Sequence, residues 1–145
     1  MADKKKIESK YIIFNLGQEE FGIEIKKVIE LQELFNITRV PKTPDYLKGV
    51  INLRGEIIPI IDLRKRLNLE SIQNTEDTRI IILDMKEIVA GIIVDSSSEV
   101  LSIDKGYSEN VANFTSKVST ELVLGIIKVK KRNIIILDFE KVITI

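Results

Sequence analysis

The chain has no cysteine and no histidine among its 145 residues. The first absence excludes disulfides, thiol nucleophiles and thiolate metal sites. The second excludes imidazole ligands, histidine general bases and phosphohistidine chemistry. An excess of either charge is also missing, since 22 Lys and Arg balance 22 Asp and Glu. Nucleic-acid binding needs a basic footprint, and aromatics at 6% leave little to stack on bases. The basic run Lys4-Lys5-Lys6 reads as part of a solvated, flexible tail over residues 1–9. No apolar run approaches the roughly 18 residues of a membrane span. The start MADKKKIESK lacks the apolar core of a secretion signal. A soluble, cytoplasmic protein with no direct membrane insertion is the expectation. The seven glycines are scattered singly, so no phosphate-cradling loop is legible.

What is there is isoleucine: 27 residues of it, in a chain that is 44% hydrophobic. Isoleucine is stiff at χ1 and packs well on a pleated surface, which favours strands. Strand signals come in pairs. YIIFNLG (11–17) and EFGIEI (20–25) read as a hairpin about Gln18-Glu19, and ELQELFNITRV (30–40) as strand over part of its length. In the connector PKTPDYLKG (41–49), Thr43, Pro44 and Gly49 suit the start and end of one helical turn. GVINL and EIIPII then flank Arg54-Gly55, and Asp62 suits the cap of a short helix LRKRL that Asn68 ends. The polar ESIQNTED (70–77) reads as a linker. RIIILD (79–84) and EIVAGIIV (87–94) form a second hairpin, SEVLSID (98–104) a strand, and residues 106–121 a long polar loop. LGIIKV and NIIILD follow, about Lys130-Lys131-Arg132.

The second half repeats the first. GVINLRGEIIPIIDL lies on GIIKVKKRNIIILDF without a gap, Gly49 on Gly125 and Asp62 on Asp138. FGIEIKKVIEL lies on AGIIVDSSSEV, Gly22 on Gly91 and Glu30 on Glu99. The offset is 69 residues early and 76 late, so the second copy has the longer loops. Each copy holds about five strands, which suggests a small closed or nearly closed barrel, because closure removes sticky edges. One such unit alone is marginal. Two packed together share a seam, and seams form grooves for ligands.

Chemistry is sparse. Asp62, Asp84, Asp95 and Asp138 at strand ends suit capping and turns better than Mg²⁺ binding. No paired acid/base set is legible, so no enzyme and no cofactor are expected. Surfaces remain. Ile25, Val28 and Leu31, at three-residue spacing, fit a helical turn or an irregular edge with one apolar face. Arg54 stands at a hairpin tip beside a connector stiffened by prolines. An arginine on a stiff tip beside apolar surface has the composition of an interface hot spot.

These stretches resemble a known family. VPKTPDYLKGVINLRGEIIPIIDLRKRL (40–67) is similar to the signature of the CheW family, the bacterial chemotaxis coupling proteins. YIIFNLGQEEFGIEIKKVIEL, VAGIIVDSSSEVLSI and STELVLGIIKVKKRNIIILDFEKVI match as well, so the resemblance spans residues 10–143. It implies a mainly β fold of two five-stranded, SH3-like barrels packed together, with short helical turns, in one CheW-like domain over 10–145. The approximate subdomains are 10–70 and 78–140, subject to the intertwining known in the family. It implies an adaptor that binds the regulatory domain of the histidine kinase CheA and the cytoplasmic hairpin tip of methyl-accepting chemoreceptors. Through them it would associate with membrane receptor arrays. By motif match the receptor groove includes Ile25, Val28, Leu31 and Val100, with Ser97 where a valine often stands. Glu30, Lys48, Gly49 and Arg54 match positions implicated in kinase or receptor coupling. A stand-alone coupler with a short or absent C-terminal helix is the expectation. Scaffolding in a non-chemotaxis two-component pathway and ligand binding by a small barrel are the alternatives.

Overall fold

The computed structural model describes residues 9–34, 36–103, 118 and 120–144. The Lys4–Lys6 run and most of the polar 106–121 loop lie outside them. Ten strands are described. The first five are β1 (Ser9–Leu16), β2 (Glu19–Glu24), β3 (Val28–Glu33), β4 (Leu47–Leu53) and β5 (Glu56–Asp62). The others are β6 (Arg79–Asp84), β7 (Val89–Val94), β8 (Ser96–Ile103), β9 (Val123–Val129) and β10 (Arg132–Leu137). Two one-turn helices, α1 (Leu63–Arg66) and α2 (Phe139–Val142), follow β5 and β10. The mainly β expectation holds, with five strands in each of two sheets.

Sheet I runs β8-β1-β2-β10-β9, and sheet II runs β3-β6-β7-β5-β4. Adding five to each strand number, in cyclic order, converts one list into the other. The repeat is therefore real in three dimensions, but its halves do not form separate sheets. The first hairpin of each copy joins the last three strands of the other copy. The junctions are parallel, β2 with β10 and β5 with β7. Subdomains cut at 10–70 and 78–140 thus do not follow the sheets, and the two copies are intertwined. Local sequence marks hairpins well. It carries no signal for which hairpin a third strand will join.

Apolar runs without alternation explain why the sheets bury both faces. In β6, Ile80, Ile81, Ile82 and Leu83 are all inaccessible. Ile81 and Leu83 enter a core shared by the two sheets, with Phe14, Phe21, Ile23, Ile61, Ile92 and Leu137. Ile80 and Ile82 point the other way, into a smaller cluster with Ile51, Ile58 and Ile60. Sheet I has the matching outer cluster of Tyr11, Ile13, Ile127, Ile134 and Ile136. Gly91 lies opposite Ile60 across the parallel junction, and a Cβ there would sit 2.6 Å from Ile60 Cδ1.

Of the closed or nearly closed barrels expected, no closed one forms: the sheets remain open among the described residues. Each curls around its outer cluster without pairing its two edge strands. In sheet II one bridge helps: Thr38 and Val50 exchange backbone hydrogen bonds of 2.9 and 2.8 Å at the free edge of β4. That contact explains Gly49. Its φ is 152°, and a Cβ would collide with the Thr38 carbonyl and lie 2.7 Å from Ile37 Cγ2. Gly49 therefore sits inside a strand rather than ending a helical turn. Pairing of β4 with β5 wins over the weak local helix signal, and Asp62 N–H donates to Tyr46 O at 2.8 Å to tie down the connector.

The capping expectation holds at Asp62 and Asp138. Asp62 accepts from the Lys65 amide and Asp138 from the Lys141 amide, each at 3.3 Å. Asn68, at φ 60°, follows the end of α1.

Candidate interaction surface

The two third strands, β3 and β8, are the edges that carry the apolar candidates. In β3, Val28 lies opposite Leu83 and Leu31 opposite Ile81, with a bulge between Val28 and Glu30. Directly paired residues share a sheet face. Leu83 and Ile81 both face the shared core, so Val28 and Leu31 face it too. The bulge inserts one residue, and this is why a three-residue spacing returns to the same face of a strand. Both readings of that spacing hold in part: the helical turn for Ile25, the irregular edge for Val28 and Leu31. Ile25 precedes it in a 3₁₀ turn, Ile25–Lys27, where the chain crosses from sheet I to sheet II.

The same device recurs in β8. Val100 lies opposite Ile12, Glu99 opposite Ile13 and Ser97 opposite Phe14, with the register shift between Ile13 and Phe14. Ile12 and Phe14 belong to the shared core, so Val100 and Ser97 take the roles of Leu31 and Val28. At these edges the core is incompletely covered: Leu31 is 43% exposed and Val100 50%. Ile25 and, in the bulge, Ile29 are exposed as well. Val28 is only half-buried and packs on the core. Val28 and Leu31 on the edge of sheet II and Val100 on the edge of sheet I thus face the shared core, with Ile25 in the turn that leads into β3. Ser97 donates its hydroxyl to the Ile13 carbonyl at 3.1 Å, which accounts for a polar residue at a valine-like position.

Glu30 and Glu99 face away from the seam, over the outer clusters, and each meets an arginine. Arg54 forms the β4–β5 turn with Gly55, at φ 51° and 87°. Both signs suit a two-residue hairpin turn, and Asn52 Oδ1 accepts from the Gly55 amide at 2.9 Å. The guanidinium reaches Glu30: Nη1 is 3.2 Å from Oε1 and Nη2 is 3.5 Å from Oε2. Neither contact is tight. Glu30 Oε1 lacks an aligned hydrogen bond although buried, as does Gln32 Oε1, and the Arg54 side chain is 74% exposed. In sheet I, Arg132 donates to Glu20 through Nε at 3.0 Å and Nη2 at 2.6 Å, and its Nη2 also donates to Glu99. Those hydrogen bonds hold the guanidinium protonated above its ordinary range and, against some desolvation, pull the Glu20 carboxyl below its usual value.

Other candidates separate. Lys48 is exposed beside the β4 bulge, at the rim of a pocket of about 310 Å³ that includes Arg64, Lys65 and Asp95. Gly49 is buried, and its identity follows from the Thr38 contact. Sequence reasoning missed the arginines of α1. Arg64 pairs with Asp95 through two hydrogen bonds, 2.9 Å from Nε and 2.5 Å from Nη2, and donates to Glu70 O at 2.7 Å. Asp95 also accepts the Gly17 amide at 2.7 Å, so this carboxylate ties the β1–β2 turn of sheet I to α1 behind sheet II. Burial alone would raise the Asp95 carboxyl. The Arg64 hydrogen bonds, the Gly17 amide and the Arg64 charge together hold it below its ordinary value. Arg66 donates to the carbonyls of Val142 and Lys141 at 2.9 and 2.8 Å, linking α1 to α2. Repeat alignment could not find these residues, because α2 has no arginine at the matching positions.

Among the described residues no group of three or more Asp or Glu is placed to hold a metal. The exposed chemistry is apolar strand edge and arginine-tipped hairpin. This defines a duplicated, intertwined β module with exposed apolar residues on its edge strands β3 and β8. The comparisons give the family. The CheW-like domain model matches residues 10–145. The chemotaxis protein CheW of Klebsiella aerogenes is 38% identical over 95% of this chain and 83% of its own length. That of Bacillus subtilis is 35% identical over 99% and 92%. The crystal structure of the scaffolding protein TtCheW from Thermoanaerobacter tengcongensis superposes with a TM-score of 0.85, at 36% identity, over 94% of this chain and 88% of that one. The chain belongs to the CheW-like family. A chemotaxis scaffold or adaptor role goes with that membership, and none of these names carries a catalytic activity. No helix among the described residues is long and apolar enough to cross a membrane.

Proposed function

We propose that the protein couples chemoreceptors to the histidine kinase CheA without chemistry of its own. The observation that carries this reading is the seam edge, where Leu31 and Val100 leave the shared core open to solvent. A receptor tip is a helical hairpin, and helix-in-groove docking uses spaced apolar anchors. Ile25, Val28, Leu31 and Val100 supply such anchors from both sheets. The kinase regulatory domain is of the same family, and its contact is one β module against another, with Arg54, Glu30 and Lys48 as the polar candidates. Modest individual interfaces then become cooperative in an array, because each bound module raises the effective concentration of the next. Localisation follows from these partners, at the cytoplasmic face of receptor arrays.

The test mixes the protein with a receptor hairpin fragment and with a CheA regulatory domain. Each complex should form at roughly 1–100 µM, and Leu31→Asp and Val100→Asp should weaken only the first. Absence of both complexes at the top of that range removes the coupling role.

A further inference from the structure

We infer that Arg132 is a positioning residue for the receptor-binding edge. It acts through Glu99 to hold β8 in place; this rests on the coupling role proposed above. Arg132 begins β10, Glu20 lies on β2 and Glu99 on β8. In sheet I, β10 and β2 are neighbours, but β8 lies beyond β1. No backbone hydrogen bond joins β8 to β2 or β10 among the described residues. The guanidinium therefore spans from the inner strands across the rolled face of the sheet to its edge. Nε and Nη2 fix it on Glu20, and Nη2 holds Glu99. A planar guanidinium with its five donors can serve two carboxylates at once, which an ammonium does with less geometric control.

What this fixes follows from strand alternation. Glu99 and Val100 are consecutive, so their side chains leave β8 on opposite faces. Glu99 lies opposite Ile13, over the outer cluster, and Val100 lies opposite Ile12, toward the seam. Anchoring Glu99 sets how far β8 curls, and so sets where Val100 stands. β8 needs such an anchor. It is an edge strand, and its register slips between Ile13 and Phe14. At the matching edge of sheet II, the contact among the described residues is the looser Arg54–Glu30 pair.

The experiment compares Arg132→Gln, Arg132→Lys and Glu99→Gln in the full chain, with Val100→Asp as the reference for loss of the anchor itself. Backbone amide exchange is followed residue by residue, and affinities are measured for the receptor hairpin and the kinase regulatory domain. The glutamine variants should speed exchange in β8, leave β6 and β7 unchanged, and weaken receptor affinity about fivefold, with kinase affinity unaltered. Arg132→Lys should fall between, and Arg132→Gln combined with Glu99→Gln should bind no more weakly than Arg132→Gln alone, because both act through the Arg132–Glu99 contact. Unchanged β8 exchange in both glutamine variants overturns the inference. So does faster exchange with normal receptor affinity while Val100→Asp still weakens binding; the coupling role then stands. If Val100→Asp also binds normally, the receptor reading falls and the inference falls with it. Should Arg132→Gln fail to fold, Glu99→Gln decides, since it leaves the Arg132–Glu20 pair in place.

Discussion

Sheet I and sheet II are built on one plan, yet they hold their rims differently. Both curl an outer apolar cluster under an arginine that reaches a glutamate on the third strand. In sheet I the arginine is Arg132, which serves two carboxylates and whose side chain is 35% exposed. In sheet II it is Arg54, with one carboxylate, longer contacts and most of its side chain in solvent. The repeat does not align these arginines: Arg54 falls on Lys130, and Arg132 on Glu56. Each sheet thus solved the same closure problem from a different position in its turn. Duplication supplies the frame, and the departures from it decide which tip is locked and which stands in solvent.

The comparison breaks most visibly in the shared core. Phe14 stacks on Phe21 at 5.3 Å between centroids and is fully buried where the sheets meet. Phe14→Ala is expected to cost about 4 kcal/mol. Because both sheets lean on this core, probes in each should report a single urea transition, shifted as a whole. Two separated transitions would show that the sheets fold as independent units.

Next come two glycines of sheet II. Gly49→Ala meets the Thr38 carbonyl and should cost about 3 kcal/mol, the upper range for overpacking. Gly55→Ala has open space but keeps φ at 87°, and should cost about 1 kcal/mol. Equal losses would mean that backbone conformation, not the closing bridge, dictates Gly49.

The tie between the sheets is the third case. Asp95→Asn leaves Arg64, whose side chain is 14% exposed, without its carboxylate, and should cost about 2 kcal/mol at neutral pH. The Asp95 carboxyl is held below its ordinary 3.8, so its contribution is present above that value and is lost as pH falls through the lower, folded one. Wild type and variant should therefore converge in stability in acid. A difference that persists once the pH has fallen through the folded value of the Asp95 carboxyl would point to packing rather than charge.

The smallest effect on stability belongs to Arg54→Ala, within about 0.5 kcal/mol, because a single exposed ion pair contributes little. Binding to the kinase or receptor fragment should nonetheless weaken. A large loss of stability with intact binding would make Arg54 a second structural clasp.

Much of this was legible in the residues, and the illegible parts have definite causes. The strands appeared as isoleucine runs because β6 and β7 are buried on both faces. Asp62 and Asp138 announced their helices because capping is local chemistry. The signature around Arg54-Gly55 gave the family, and the apolar candidates Val28, Leu31 and Val100 lie on the two edge strands, opposite core residues. Lys48 and Gly49 did not separate by sequence, though one is exposed and the other is pinned against Thr38. The clasp of Arg132 on Glu20 and Glu99 was hidden, since its partners lie 112 and 33 residues away.

The sequence by itself determined the β class, the duplication, the missing thiol and imidazole chemistry and the family, because composition, periodicity and short-range motifs are written along the chain. Only the tertiary structure decided which hairpin each third strand joins, that the sheets curl without closing, and which arginine is locked. Those outcomes depend on pairings between residues far apart in sequence. Their free energy comes from a core that neither copy can build alone.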